Sequence, residues 1–277
     1  MISPERALRN AMWAAASLLG AAVFFPFLIG VYAAMLAPSD MMARSLPLWP
    51  LHPENFVRVF TEVGLAPYFV NSIIIAGITT CGTMLTSILA AYAFARMEFS
   101  GRTILFWGVL GTLTIPELIC IIPNYLLMAK LKLIPSLWAA IIPQLAVSSG
   151  FITFFLRQHF MAVPKAYDEA ARLDGARTMK ILIDIIVPMS WPAIASMALY
   201  AFIAQWNAYL WPLIVLRGDT QTVQIALSNL QAAMREQPFI DWPLILAASC
   251  VVLVPSVLFF LFAERQLVRG MGISGVK

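Results

Sequence analysis

Charged residues punctuate this chain at wide intervals, and between them lie six nearly uncharged stretches long enough to cross a bilayer. A hydrocarbon core of ~30 Å takes ~20 helical residues at ~1.5 Å each. The first stretch runs from Ala11 to Ala37 between Arg9 and Asp40, and the second from Val63 to Ala95 between Glu62 and Arg96. The third, Thr103 to Ala129, has one interior charge, Glu117, and a tight connection joins it to the fourth, Leu133 to Leu156. The fifth, Ile185 to Leu216, exceeds one span and includes non-spanning ends; the sixth, Trp242 to Ala263, lies between Asp241 and Glu264. Each is read as a helix, which predicts an all-α polytopic membrane protein with six transmembrane helices.

Composition agrees with this pattern. With 61% hydrophobic and 12% charged residues and a mean hydropathy of +0.84, the chain has too little polar surface to cover a soluble globule. The first run is too long for a cleavable signal and leads on to further spans, so it is read as a retained helix. Cys81, Cys120 and Cys250 fall inside apolar runs without metal-ligand spacing and are read as packing residues. Six spans put both termini on one side. Twelve Lys and Arg flank the spans on the side of the termini and six on the other, so both termini are expected in the cytoplasm. The net charge of +4 follows from that topology and is no nucleic-acid footprint.

One cytoplasmic segment, Arg157 to Asp184, is long and patterned. Pro164 suits a first helical turn, Asp168 and Glu169 place negative charge near that N-terminus, and Gly175 suits a left-handed stop. A short helix of ~10 residues is expected, then a corner, then a second helical stretch from Thr178 with Met179, Leu182, Ile183 and Ile186 on one face. Pro188 begins the fifth span.

The order Glu169-Ala170-Ala171, Gly175, Ile185 and Val187-Pro188, with three, nine and one residues between, resembles the EAA loop of ABC importer permeases. Val187 stands where that signature usually has Leu. Further stretches are similar to the type I, carbohydrate-class permeases for maltose and glycerol-3-phosphate. They include Asn71-Ser72, Ala90 to Arg96, Phe99 to Arg102, Pro116, Pro123, Trp206 to Pro212, and the tail Val268 to Lys277. The resemblance implies the MetI-like fold, one permease domain over residues 1–277, and a coupling loop over 157–187. It assigns Glu169, Ala170, Ala171, Asp174 and Gly175 to contact with a separate ATPase. Small residues let a partner approach the helix backbone, Glu169 can pair with a basic group, and Gly175 allows the sharp turn.

Polar groups inside the spans are the candidates for a solute pathway. An ionisable group at mid-membrane costs ~2.5–3.5 kcal/mol on insertion scales, which marks Glu117, where the adjacent Pro116 suggests a helix break lining a cavity. A structural carboxylate is the alternative. Trp206 and Asn207 could stack on and hydrogen-bond a polyol, with Tyr209 beside them, or Trp206, Tyr209 and Trp211 could form an interfacial aromatic belt. Asn71, Gln144 and Ser148 are weaker candidates, since amides and hydroxyls commonly hold membrane helices together.

No Gly-x-x-x-x-Gly-Lys-Ser/Thr loop occurs, and His52 and His159 form no ligand pair. The chain is therefore read as a non-enzyme without cofactor, with ATP and magnesium belonging to partner ATPase subunits. By resemblance it works in a bacterial inner membrane with a second homologous permease, two ATPase copies and an extracytoplasmic solute-binding protein. The loop Gly218 to Ile240 could touch that binding protein, and the tail Gly270 to Lys277 could lie along the ATPases. The rival is a secondary transporter driven by an ion gradient, which commonly shows several intramembrane charges.

Overall fold

A computed structural model of the chain describes residues 4–42, 49–145 and 149–272, and these are helical with short connections. In order come α1 (Pro4–Ala34), α2 (Glu54–Thr61), α3 (Ala66–Arg96), α4 (Arg102–Gly111), α5 (Glu117–Lys130), α6 (Leu137–Leu145) and α7 (Gly150–Ala162). They are followed by α8 (Lys165–Leu173), α9 (Thr178–Ile181), α10 (Val187–Met189), α11 (Trp191–Trp206), α12 (Leu210–Val215), α13 (Val223–Arg235) and α14 (Trp242–Gly272). Residues Leu8–Ala34, Ala66–Arg96 and Trp242–Phe262 are each long and apolar enough to cross a membrane alone. Three pairs qualify only together: α4 with α5, bent by 97°, α6 with α7, bent by 46°, and Thr178–Met189 with α11, bent by 83°. The count reaches six if each bent pair is one span.

Proline explains two of the bends. Pro116 drives the preceding residue out of the helical region, and Ile115 is extended at φ −84°, ψ 114°. The hydroxyls of Thr112 and Thr114 donate to the carbonyls of Val109 and Gly111, satisfying acceptors that the break strands. Between α9 and α11, Pro188 and Pro192 remove two N–H donors, and Leu182–Ile186 widens into a π-turn. That wider turn also corrects the expected face. Ile181, Leu182 and Ile186 are buried, whereas Met179 and Ile183 are exposed, because a π-turn rotates successive side chains less than an α-turn does.

Contacts divide the chain into two compact units, Met1–Ala66 with Ala226–Val254 and Pro67–Ile225 with Pro255–Lys277. In the first, Asn55 is buried and its amide donates to the Ala34 and Leu36 carbonyls at 3.0 and 2.9 Å, closing the end of α1. Arg58 then donates to Asn55 Oδ1, to Glu62 and to Asp241 Oδ2. Asp241 Oδ1 also accepts the Leu244 N–H, so one carboxylate caps α14 and holds Arg58. The hydrogen bond from Arg58 keeps the Glu62 carboxyl below the usual carboxylate range, and the same bond raises Arg58.

Among the described residues, two apolar clusters lie in the second unit. One gathers Tyr92, Leu156, Phe160, Ile181, Leu182, Ile186 and Met197 around the C-terminal end of α3 and the loop after α7. The other joins Ile75, Met128, Ile141, Trp211, Val215 and Leu216. Gly150, opening α7, allows that helix to lie against the backbone of α4, where an added Cβ would meet the Val109 carbonyl at 2.7 Å.

Candidate functional site

The patterned segment folds as a helix, a corner and a second helix. Helix α7 continues to Ala162, past the apolar run that ends at Leu156, and extended Pro164 then leads into α8. At the other end of α8, the Ala176 N–H reaches the Ala171 carbonyl at 2.9 Å and the Gly175 N–H reaches that of Arg172 at 3.0 Å. This is the Schellman closure, and it requires the left-handed backbone that Gly175 supplies at φ +80°. Nothing lies within 4 Å of where a Gly175 side chain would begin, so the demand there is on backbone conformation alone.

Exposure splits α8 into two faces. Asp168 is buried and Ala171 half-buried, while Glu169, Ala170 and Asp174 are exposed. Tyr167 is 50% exposed and Leu173 90%. The outer face of α8 thus shows a leucine and a tyrosine beside the small residue Ala170.

The inner face of α8 meets residues that the loop pattern alone does not single out. The Arg96 guanidinium, 2% exposed, lies 3.5 Å from Asp168. It also donates to the carbonyls of Phe160 and Val163 at the end of α7, where a cation complements the helix dipole. One turn back on α3, the Tyr92 hydroxyl donates to the Thr178 carbonyl at 3.3 Å. In sequence, Arg96 stands out as a basic residue closing the Ala90 to Arg96 stretch and Asp168 as charge near a helix start, and neither points to the other. The available signal was the i, i+4 spacing of Tyr92 and Arg96 at the end of an apolar run.

A cavity of about 650 Å³ lies in the same unit, walled by α3, α5, α6, α7 and α11. Glu117, Asn124, Gln144, Tyr200 and Gln205 line it, together with Thr83 and Cys120. A neighbouring cavity of about 350 Å³ shares Glu117, Gln144 and Gln205 and adds Tyr209. Glu117 is thus placed at the Pro116 break, on the first turn of α5. Among the described lining residues it is the one charged side chain.

The other candidates lie elsewhere. Trp206 is 2% exposed, its ring edge-on to Phe69 at 5.4 Å and stacked with Phe202 at 6.0 Å, so neither face is open to a solute. Asn207 caps α11 and donates to the Ile203 carbonyl. Asn71 donates to the carbonyls of Asp219 and Gln221, tying α3 to the turn before α13. Ser148 and residues 273–277 of the tail lie outside the described residues. Gln205 was missed, although a lone amide in the apolar α11 follows the same intramembrane logic that marked Glu117. Among the described residues, no group of three His, Cys, Asp or Glu could hold a metal ion.

Comparison with known proteins agrees on one family. The profile of the binding-protein-dependent transport system inner membrane component matches residues 53–269. The arabinooligosaccharides transport system permease protein AraQ of Halalkalibacterium halodurans is 34% identical over 259 residues, 91% of each chain. The sn-glycerol-3-phosphate transport system permease protein UgpE of Escherichia coli is 33% identical over 260 residues, again 91% of each. In the crystal structure of a bacterial ABC transporter involved in the import of the acidic polysaccharide alginate, one chain shares the fold. Its TM-score is 0.79 at 18% identity, covering 96% of this chain and 98% of that one. The chain therefore belongs to the binding-protein-dependent transport system inner membrane components, the permeases of ABC importers.

Proposed function

We propose that this chain moves a carbohydrate or related polyol across the bacterial inner membrane by alternating access, driven by ATP hydrolysis on partner subunits. The observation that carries this reading is the helix α8 with its Gly175 corner and an exposed face bearing Tyr167 and Leu173. Glu169, Ala170, Ala171, Asp174 and Gly175 form the contact with the ATPase, one of two copies, each loaded with ATP and magnesium. A second homologous permease completes the pathway, and a solute-binding protein delivers the solute from outside. Residues 1–277 act as one permease domain in which each bent pair counts as a single span, giving six spans with both termini cytoplasmic.

The cavity supports the solute class. Its amides, the Tyr200 hydroxyl and the Glu117 carboxylate suit a hydroxyl-rich solute, and no cation lines it among the described residues. Glu117, with Tyr209 beside it, is the pathway contact of this subunit. Of the solutes that the relatives' names give, an arabino-oligosaccharide, uncharged and rich in hydroxyls, suits this lining and is the probe to use first.

Replacing Gly175 with valine tests the coupling role. A branched side chain at a left-handed position costs ~1–2 kcal/mol, and nothing else in this chain lies near it, so the chain itself is expected to fold. Uptake of the labelled probe into proteoliposomes containing ATP should then be largely lost. Unchanged uptake by a fully assembled variant would remove α8 from the mechanism.

A further inference from the structure

We infer that α3 is the element through which the loop acts on the cavity, with Arg96 and Tyr92 as positioning residues that grip the loop on both sides of the Gly175 corner. This rests on the proposed coupling role of α8. Tyr92 and Arg96 are four residues apart and so share one helix face. Arg96 holds α8 through Asp168, and Tyr92 holds α9 through the Thr178 carbonyl. A displacement of the corner therefore pulls on α3 from both halves of the loop.

The Arg96–Asp168 pair has room to change. At 3.5 Å it is longer than a tight charge-assisted hydrogen bond, by about 0.7 Å. Arg96 Nε and Asp168 Oδ1 are buried without hydrogen-bond partners. Buried polar groups left unpaired are costly, so a closed two-pronged arrangement is available to the same two side chains when α8 shifts. Two discrete arrangements of one packed contact are what a mechanical link requires. Because Arg96 also holds the end of α7 through the Phe160 and Val163 carbonyls, the shift reaches α7 as well.

The other end of this route is the cavity. Thr83 of α3 lines it, thirteen residues before Arg96 and so about 20 Å along a rigid helix. Cys120 lines the same cavity and supplies a native reporter.

The test uses the complete transporter in lipid nanodiscs. Alkylation of Cys120 by N-ethylmaleimide is followed by peptide mass spectrometry, with and without ATP and vanadate. The wild type is expected to show an ATP-dependent rate change of about fivefold or more. Asp168→Asn keeps the shape and leaves Arg96 bonded to α7, and Tyr92→Phe removes one hydroxyl. Each should reduce the change, and the double variant should abolish it, with assembly yield and ATP hydrolysis retained. A purely structural role predicts that yield and hydrolysis fall together with the Cys120 response. Variants that assemble, hydrolyse ATP and keep the full Cys120 response would overturn the inference, as would a hydrolysing wild type whose Cys120 ignores ATP. A purified wild type that hydrolyses no ATP would instead sink the proposed function.

Discussion

Asn55 shows how much a single side chain can hold in a protein with little polar material. Its amide nitrogen satisfies two carbonyls at the end of α1, and its oxygen accepts from Arg58. Asn55→Ala strands these groups in a buried position, a loss of ~1–3 kcal/mol. The thermal midpoint of the detergent-solubilised protein should fall by roughly 2–10 °C. An unchanged midpoint would show that water or lipid headgroups replace the amide. Residue roles of this kind were the least legible in the sequence. Gly175 was readable because its φ +80° is a demand that few residue types meet. Asn55, Arg96 and Asp168 were not, because their partners are carbonyls and charges far along the chain. Trp206 was misleading for a related reason: an aromatic residue has the same appearance in sequence whether its ring is open or enclosed by Phe69 and Phe202.

At the scale of elements, the apolar runs located the helices well, since spanning length depends on local composition. The bends were legible only at proline. Pro116 announced the 97° break between α4 and α5, but the π-turn at Leu182–Ile186 rotated a face that α-periodicity had placed elsewhere. Close helix approach was not legible either, because a glycine in an apolar run does not say what lies opposite. Gly150 and Gly82 differ in this respect. An added methyl at Gly150 meets the Val109 backbone carbonyl, whereas at Gly82 it meets the mobile end of Leu145. Gly150→Ala should therefore cost ~1–3 kcal/mol by forcing α7 away from α4, and Gly82→Ala clearly less. Monodisperse yield after a heat step should rank wild type, then Gly82→Ala, then Gly150→Ala. The reverse order of the two variants would mean that α7 and α4 do not approach this closely in the membrane.

For the whole molecule, membrane class and family were legible from runs of apolar residues and from one loop signature spread over the twenty residues from Glu169 to Pro188. The division into two compact units was not, because it depends on pairings such as Arg58 with Asp241, 183 residues apart. The central claim is that the chain imports solute as part of an ATP-driven assembly. It is tested most directly by gentle purification of the tagged chain from its native membrane, with mass spectrometry of stoichiometric partners and reconstitution of what is recovered. The account predicts a second permease, two copies of an ATPase, and uptake that requires ATP and the binding protein. Recovery of this chain alone, with uptake driven by an ion gradient and indifferent to ATP, would contradict it.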